Sequence, residues 1–476
     1  MTSNVRIREV ETFQVRVRCR TPLKFGAVVV DELPIGFARV TVENGAGARA
    51  DGWGAMFLMH LWSWPDPSIP PEARSRVICD VFQRYADLLS QWDTPGHPIE
   101  IFCENEAELE GINREVSERH TPGDVMPHLG ALVAASPIDH AVHDAFGKVN
   151  GIDSYDGYSP EFMDFDLSRY LGREYRDVYP SQFLRQDYAP TVPVFHLVGG
   201  LDPLHPEEVP GGAPRDGVPN SLDDWIKRDG VYCLKVKLRG RDIEWDVERT
   251  IDVSRVYHDV REDYPTALPP RPHLTADTNE MCETPEYIVE YLRHIRDAAP
   301  DVFDEILYIE QPTERDLGRN QWDMRGVAAL KPVIIDESLS RAEDFTLAME
   351  LGWSGIALKS CKCLSSDLLF IAMAEMRGVP YAVQDLTNPS IALVESMGLA
   401  ARSHTIMGVE ANSRQFFPAS NEHLLPVHSG LCEARHGVAK AGSISGPGLG
   451  FRVDELPGFA EFVAGGAQAL TPGPSP

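Results

Sequence analysis

Five short apolar runs, each closing on charged or amide side chains, constrain this chain more than any other feature. They are Cys-Leu-Lys-Val-Lys (Cys233 to Lys237), Leu-Thr-Ala-Asp-Thr-Asn (Leu274 to Asn279), Ile-Leu-Tyr-Ile-Glu-Gln-Pro (Ile306 to Pro312), Val-Ile-Ile-Asp-Glu-Ser (Val333 to Ser338) and Gly-Ile-Ala-Leu-Lys (Gly355 to Lys359). Unbroken apolar runs of this length suit strands buried on both faces, as in a parallel sheet. Helical patterns separate them, near Ile243 to Val260, Pro285 to Arg296, Leu317 to Leu330 and Arg341 to Leu351. Val192 to Gly200 precedes the series. Ser366 to Arg377, Pro380 to Gln384, Pro389 to Arg402 and Ile406 to Glu410 continue it. Eight strands with right-handed crossovers predict an α/β protein built on a (β/α)8 barrel, whose chemistry sits at the C-terminal ends of the strands. No strand end carries the glycine pattern of a dinucleotide or nucleoside-triphosphate loop.

The flanking sequence predicts a second, α+β domain. Residues 5 to 17 alternate apolar and polar, Phe37 to Val42 reads as a second strand, and Asn44-Gly45 is a turn signal before a third strand through Trp53. Thr21 to Pro34, punctuated by Gly and Pro, reads as a mobile loop, and Pro71 to Gln91 and Glu106 to His120 read as helices. The expected organisation is a capping domain over residues 1–135, completed by 419–476, and a barrel over 136–418. Within the barrel, the acidic, aromatic stretch 151–190 has no period and reads as an insertion, packed on another subunit or on its own chain. The Pro/Gly-rich loop Leu201 to Asn220 follows the first barrel strand and should face the mouth, and Thr471 to Pro476 look disordered.

Composition narrows the partners. A formal charge of −28 opposes nucleic acid and anionic membranes. No apolar run approaches the ~20 residues that span a bilayer, and the polar Met1 to Val10 is no secretory signal. The eight cysteines are scattered, and one C-x-C (Cys361, Cys363) does not define a zinc site. The expectation is a cytoplasmic protein acting on a small molecule.

The strand ends carry the chemistry. Asp277, Glu310 and Asp336 close three successive strands, and three hard oxygen donors at one mouth suit Mg²⁺. Lys235 and Lys237, two residues apart, share one side of their strand. Neighbouring ammonium groups in a desolvated mouth lower each other's pKa, and a lysine brought near neutrality can act as a general base. Lys359 reaches the mouth from the opposite wall. A substrate carboxylate, a proton α to it, and cations that stabilise the resulting enediolate complete a consistent reaction.

These motifs resemble the enolase superfamily, in its mandelate racemase/muconate lactonizing branch. The resemblance runs through Lys-Val-Lys (235–237), Asp-Thr-Asn (277–279), Ile-Glu-Gln-Pro (309–312), Asp-Glu-Ser (336–338) and Leu-Lys-Ser-Cys-Lys (358–362). Ile138-Asp139-His140-Ala141 with Asp144, and Gly446-Pro447-Gly448-Leu449-Gly450, extend it. It implies a modified barrel with an N-terminal cap, and Mg²⁺ held by Asp277, Glu310 and Asp336. Lys237 and Lys359 would be the acid/base pair and Lys235 would hold the substrate carboxylate. Lys24 and Asp385 are further substrate-binding candidates, and a homo-oligomer is expected. Lys359 on the sixth strand and Gln384-Asp385 on the seventh resemble the two-lysine, muconate-lactonizing type rather than the histidine type. The eighth strand, Gly-Val-Glu-Ala-Asn, lacks the Asp-x-Asp of dipeptide epimerases. Racemisation or epimerisation is the leading expectation, with dehydration or cycloisomerisation as alternatives. Outside the family stand a glycoside hydrolase using Glu310 and Asp385, and a binding protein without catalysis.

Overall fold

The computed structural model describes residues 1–25, 28–264 and 267–467, without the side chains of residues 23–25, 28, 29, 466 and 467. Three antiparallel strands open the chain: β1 (Val5–Phe25), β2 (Val28–Asn44) and β3 (Arg49–Phe57). Val5 pairs with Asn44 and Phe25 with Val28, so the first two strands form one long hairpin with register shifts at Ile7/Glu9 and Arg18/Leu23. The loop expected over Thr21 to Pro34 is therefore largely strand in its described part. Backbone pairing across the hairpin satisfies the amides that a loop would leave to water. Helix Pro71–Ser90 packs on β1, and helix Pro98–His120 packs on that helix.

Eight parallel strands then follow: β4 (Thr191–Val198), β5 (Cys233–Lys237), β6 (His273–Asp277), β7 (Ile306–Glu310), β8 (Val333–Ile335), β9 (Gly355–Lys359), β10 (Tyr381–Gln384) and β11 (Val409–Glu410). Each pairs with the next, and β11 pairs back on β4 through Val409–Val194 and Glu410–Phe195, closing the barrel. A short β12 (Val438–Lys440) runs antiparallel to the start of β4. Helices separate the barrel strands, entered as their sequences dictate. Ser221 accepts from Asp224 N at the head of Leu222–Asp229, Asp242 caps Ile243–Asp263, and Pro285 opens Pro285–Ala298. The helix expected over Leu317 to Leu330 shortens to Arg325–Ala328. Gly318 and the Asp316 and Asp323 side chains, which accept from nearby backbone amides, favour turns before it.

The two layers meet on the helix His128–Asn150, buried over most of its length. The expected domain boundary at 135/136 falls inside it. Gly52 and Gly54 of β3 lie so close that an added Cβ would sit 2.1 Å from Ala141 O and 2.1 Å from Pro137 O respectively. On the barrel side, Ser136 Oγ accepts from Cys363 N at 3.0 Å and Asp139 accepts from Ser365 N at 3.0 Å. The 151–190 segment packs on its own chain: Tyr155, Tyr158 and Tyr175 are buried, and Tyr158 OH meets His143 Nδ1 at 2.8 Å. Helix Phe459–Ala467 returns to the first sheet, with the Phe459 ring 6.0 Å from Phe37 and 5.2 Å from Trp53. Thr471 to Pro476 lie outside the described residues. No helix among the described residues is long and apolar enough to cross a membrane.

Candidate active site

The strand ends gather at one mouth. Residues alternate sides along β5, so Lys235 and Lys237 point the same way, toward the carboxylates of β6 and β7. Lys237 Nζ donates to Asp277 Oδ2 and, at 3.0 Å, to Asn279 Oδ1. Lys235 Nζ lies 2.7 Å from Glu310 Oε1 and 3.1 Å from Asp277 Oδ2. From the far wall, Lys359 Nζ donates to Asp336 Oδ2 at 2.6 Å. The sequence-predicted Asp277, Glu310, Asp336, Lys235, Lys237 and Lys359 thus share one network. Lys237 keeps a quarter of its side chain exposed, and the others are buried.

Four members of the network were given no site role by the sequence. Glu410, at the end of β11, accepts from Lys235 Nζ at 2.7 Å and from Asn412 Nδ2 at 3.0 Å. It carries the same signal as the other strand-end acids. Gln384 donates to Glu310 Oε2 at 2.6 Å. Lys362 donates to Asp336 O at 2.6 Å and to Asp336 Oδ1 at 3.2 Å, from one turn beyond Lys359. Trp62 comes from the capping domain and has no signal in the barrel sequence. Its ring lies over Lys359 Nζ at 4.6 Å, and its indole N–H donates to Glu337 Oε1 at 2.9 Å. Arg315 fixes that segment, donating to Trp62 O at 3.0 Å and Ser63 O at 3.2 Å while paired with Glu280 at 2.6 Å.

Charge crowding sets the protonation states. Burial would raise the Asp277 carboxyl, but Lys237 and Lys235 outweigh it and hold it well below the usual carboxylate range. Asp336 is held down to about 2, burial being outweighed by Lys359 and Lys362. Burial and then the Asp277 charge push Glu310 up to about 8 against the pull of Lys235. Burial, followed by Asp336, pushes Glu337 up to about 7. Burial disfavours the Lys235 and Lys359 charges, yet the acids around them hold both ammonium groups above the ordinary lysine range. The expected lowering is therefore overturned at Lys235, because the carboxylates around it outweigh burial. Strain concentrates here too: Asn279, Glu280, Gln311, Cys363, Thr387 and Ser390, all just past barrel strands, have positive φ.

Asp277 and Asp336 each act electrostatically on Glu310, so the three carboxyls crowd one region and repel, as a cation site requires. Among the described residues, no three acid, histidine or cysteine side chains are placed to hold a metal ion as they stand. Ammonium groups bridge their oxygens instead. The oxygen chemistry fits Mg²⁺, in competition with those lysines.

Asp385 and Lys24 remain. Asp385 follows β10 and is buried, with Oδ1 accepting from Thr387 N at 2.7 Å. The side chain of Lys24 lies outside those described. Arg20 holds the 201–220 loop by donating to Asp216, Val218 O and Asn220. Beneath that loop lies a cavity of about 450 Å³ walled by Leu197, Pro203, Trp225 and Phe416. None of the strand-end lysines or acids is among its lining residues.

A closed parallel barrel capped by an antiparallel α+β layer, with acids and lysines on successive strand ends, defines an enolase-type barrel protein. Residues 218–456 match the family model described as enolase C-terminal domain-like. The chain belongs to that family, membership that implies an enzyme. Solved structures agree in fold. A member of the enolase superfamily from Roseovarius nubinhibens ISM, complexed with magnesium, is 20% identical, with 95% of this chain and 98% of that one covered, at a TM-score of 0.56. An isomerase from Streptomyces coelicolor A3(2) is 17% identical over 98% of this chain and 100% of that one, at 0.60. The L-Ala-D/L-Glu epimerase from Bacillus subtilis is 18% identical over 85% and 89%, at 0.55. No curated protein matches the chain.

Proposed function

We propose that this protein is a Mg²⁺-dependent enzyme that removes the proton α to a substrate carboxylate, of the two-lysine, muconate-lactonizing type. One observation carries the reading: Lys235, Lys237 and Lys359 each meet a carboxylate from a neighbouring strand at one mouth. Asp277, Glu310 and Asp336 would hold Mg²⁺, which would supply positive charge to offset the negative charge that grows on the substrate carboxylate as the proton leaves. Lys237, the most exposed of the three lysines, exchanges the proton on one face. Lys359 serves the other, its ammonium screened from water by the Trp62 ring. Lys235, buried between Glu310 and Glu410, directs its charge at the substrate carboxylate, and Asp385 contacts the substrate. Lysines on both faces favour racemisation or epimerisation. Dehydration and cycloisomerisation share the first step. The glycoside hydrolase reading fares poorly, because both Glu310 oxygens are engaged, by Lys235 and Gln384.

The test is exchange of the α-proton into deuterated water across a panel of carboxylic acids. Exchange should need Mg²⁺, stop with chelator, and fall by about 10²–10⁴ in the Lys237→Ala/Lys359→Ala double variant. Exchange undiminished in that variant sinks the lysine roles. Hydrolysis of a glycoside in the presence of chelator would favour the hydrolase.

A further inference from the structure

The end of β10 carries more unpaired polar atoms than packing explains. Asn388 is fully buried, yet neither Oδ1 nor Nδ2 has a hydrogen-bond partner among the described residues. Asp385 is 4% exposed and its Oδ2 is likewise unpaired. Gln384 donates to Glu310, leaving its Oε1 without a partner. Buried polar groups are almost always hydrogen-bonded, since leaving one unpaired forfeits its hydration for nothing. The backbone is strained at the same place, with Thr387 at φ 65° and Ser390 at φ 61°, neither of them glycine. Strain of this kind persists where the surroundings enforce it, often for function. The segment belongs to the mouth: Gln384 is the register partner of Lys359, and the charges of Glu410 and Lys359 both act on the Asp385 carboxyl.

Resting on the reading of this mouth as a carboxylate site, we infer that Gln384, Asp385 and Asn388 form a second subsite. It recognises an uncharged group on the substrate acid that both donates and accepts hydrogen bonds, a hydroxyl or an amide. The unpaired oxygens of Gln384, Asp385 and Asn388 require donors, and Asn388 Nδ2 requires an acceptor. An alkyl group offers neither. An ammonium donates but cannot accept. A second carboxylate cannot donate and would face Asp385 and Glu410.

The test is calorimetric binding of paired acids to the Mg²⁺-loaded protein. Hydroxy acids and N-acetyl amino acids are each set against an acid of the same size lacking the polar group. Wild type should prefer the polar member of one series by at least about tenfold, and which series does so separates hydroxyl from amide. In Asn388→Leu that preference should collapse while the melting temperature rises, because an apolar isostere removes unpaired polar atoms from a dry interior. Equal affinities within both pairs, a preference that survives Asn388→Leu, or a lowered melting temperature overturns the subsite. α-Proton exchange on the same acids separates the two readings. Preference without exchange keeps the subsite and rejects the catalysis; exchange without preference does the reverse.

Discussion

Replacing Lys235 with methionine removes one charge at nearly constant volume. In the native protein Nζ lies 2.7 Å from Glu310, 2.7 Å from Glu410 and 3.1 Å from Asp277, with 2% of the side chain exposed. Removing one partner of a buried ion pair costs about 3–5 kcal/mol, because the other charge stays buried and uncompensated. Glu310 can offset part of this by taking up a proton. Burial and Asp277 have already raised its pKa from 4.5 to about 8, and losing Lys235 raises it further. The folded state therefore holds an extra proton on Glu310 between those values. Its contribution is present at low pH and lost as pH climbs through 8. The gap between wild type and variant should widen from pH 6 to pH 9. For 476 residues unfolding as one unit, the entropy near the midpoint is about 1 kcal/mol per kelvin, so the cost reads as about 3–5 °C in Tm. Scanning calorimetry at both pH values, with and without Mg²⁺, measures it. Saturating Mg²⁺ should restore part of the loss, about 2.7 kcal/mol at a hundredfold excess over Kd. A variant melting with wild type at pH 9 would refute the electrostatic account of the mouth.

Other perturbations test the surrounding structure. Burial lowers His97 to about 3, and His60, His140 and His423 to about 4. Their contribution should be complete above pH 6.5 and fall below it by about 1.4 kcal/mol per histidine per pH unit, down to those values; a flat denaturant-stability profile from pH 7 to 5 would show the rings to be accessible. Gly54→Ala drives a Cβ against Pro137 O at 2.1 Å and Ala141 N at 2.7 Å, and should cost about 3 kcal/mol. Gly111→Ala, in helix Pro98–His120 with nothing within 4 Å, should stabilise by about 0.5–1 kcal/mol. Equal effects in urea melts would contradict this packing. Trp62→Phe keeps an aromatic face over Lys359 but strips Glu337 of a donor at 2.9 Å, and should cost about 1–3 kcal/mol; an unchanged melt would mean that the indole N–H is replaceable by water.

The barrel was legible because each of its strands is buried on both faces, which writes a continuous apolar run into the sequence and leaves the charged strand ends conspicuous. Asp277, Glu310, Asp336 and the three lysines could be read that way, and so could the direction in which Lys235 and Lys237 point, since a strand alternates by residue. Local signals also marked the caps at Ser221 and Pro285. The continuation of the first hairpin through Thr21 to Pro34 was not legible, because a Gly/Pro-rich stretch looks like a loop until its backbone finds a partner. Only the tertiary structure brought Trp62 from the capping domain onto Lys359, and Glu410 from β11 onto Lys235. It also decided the charge states: two lysines two residues apart suggest depressed pKa values, whereas the acids converging on Lys235 raise its pKa despite burial. Sequence specifies which groups each strand end can offer. Which of them face one another across a dry mouth depends on barrel closure and on the glycine-tight docking of the cap.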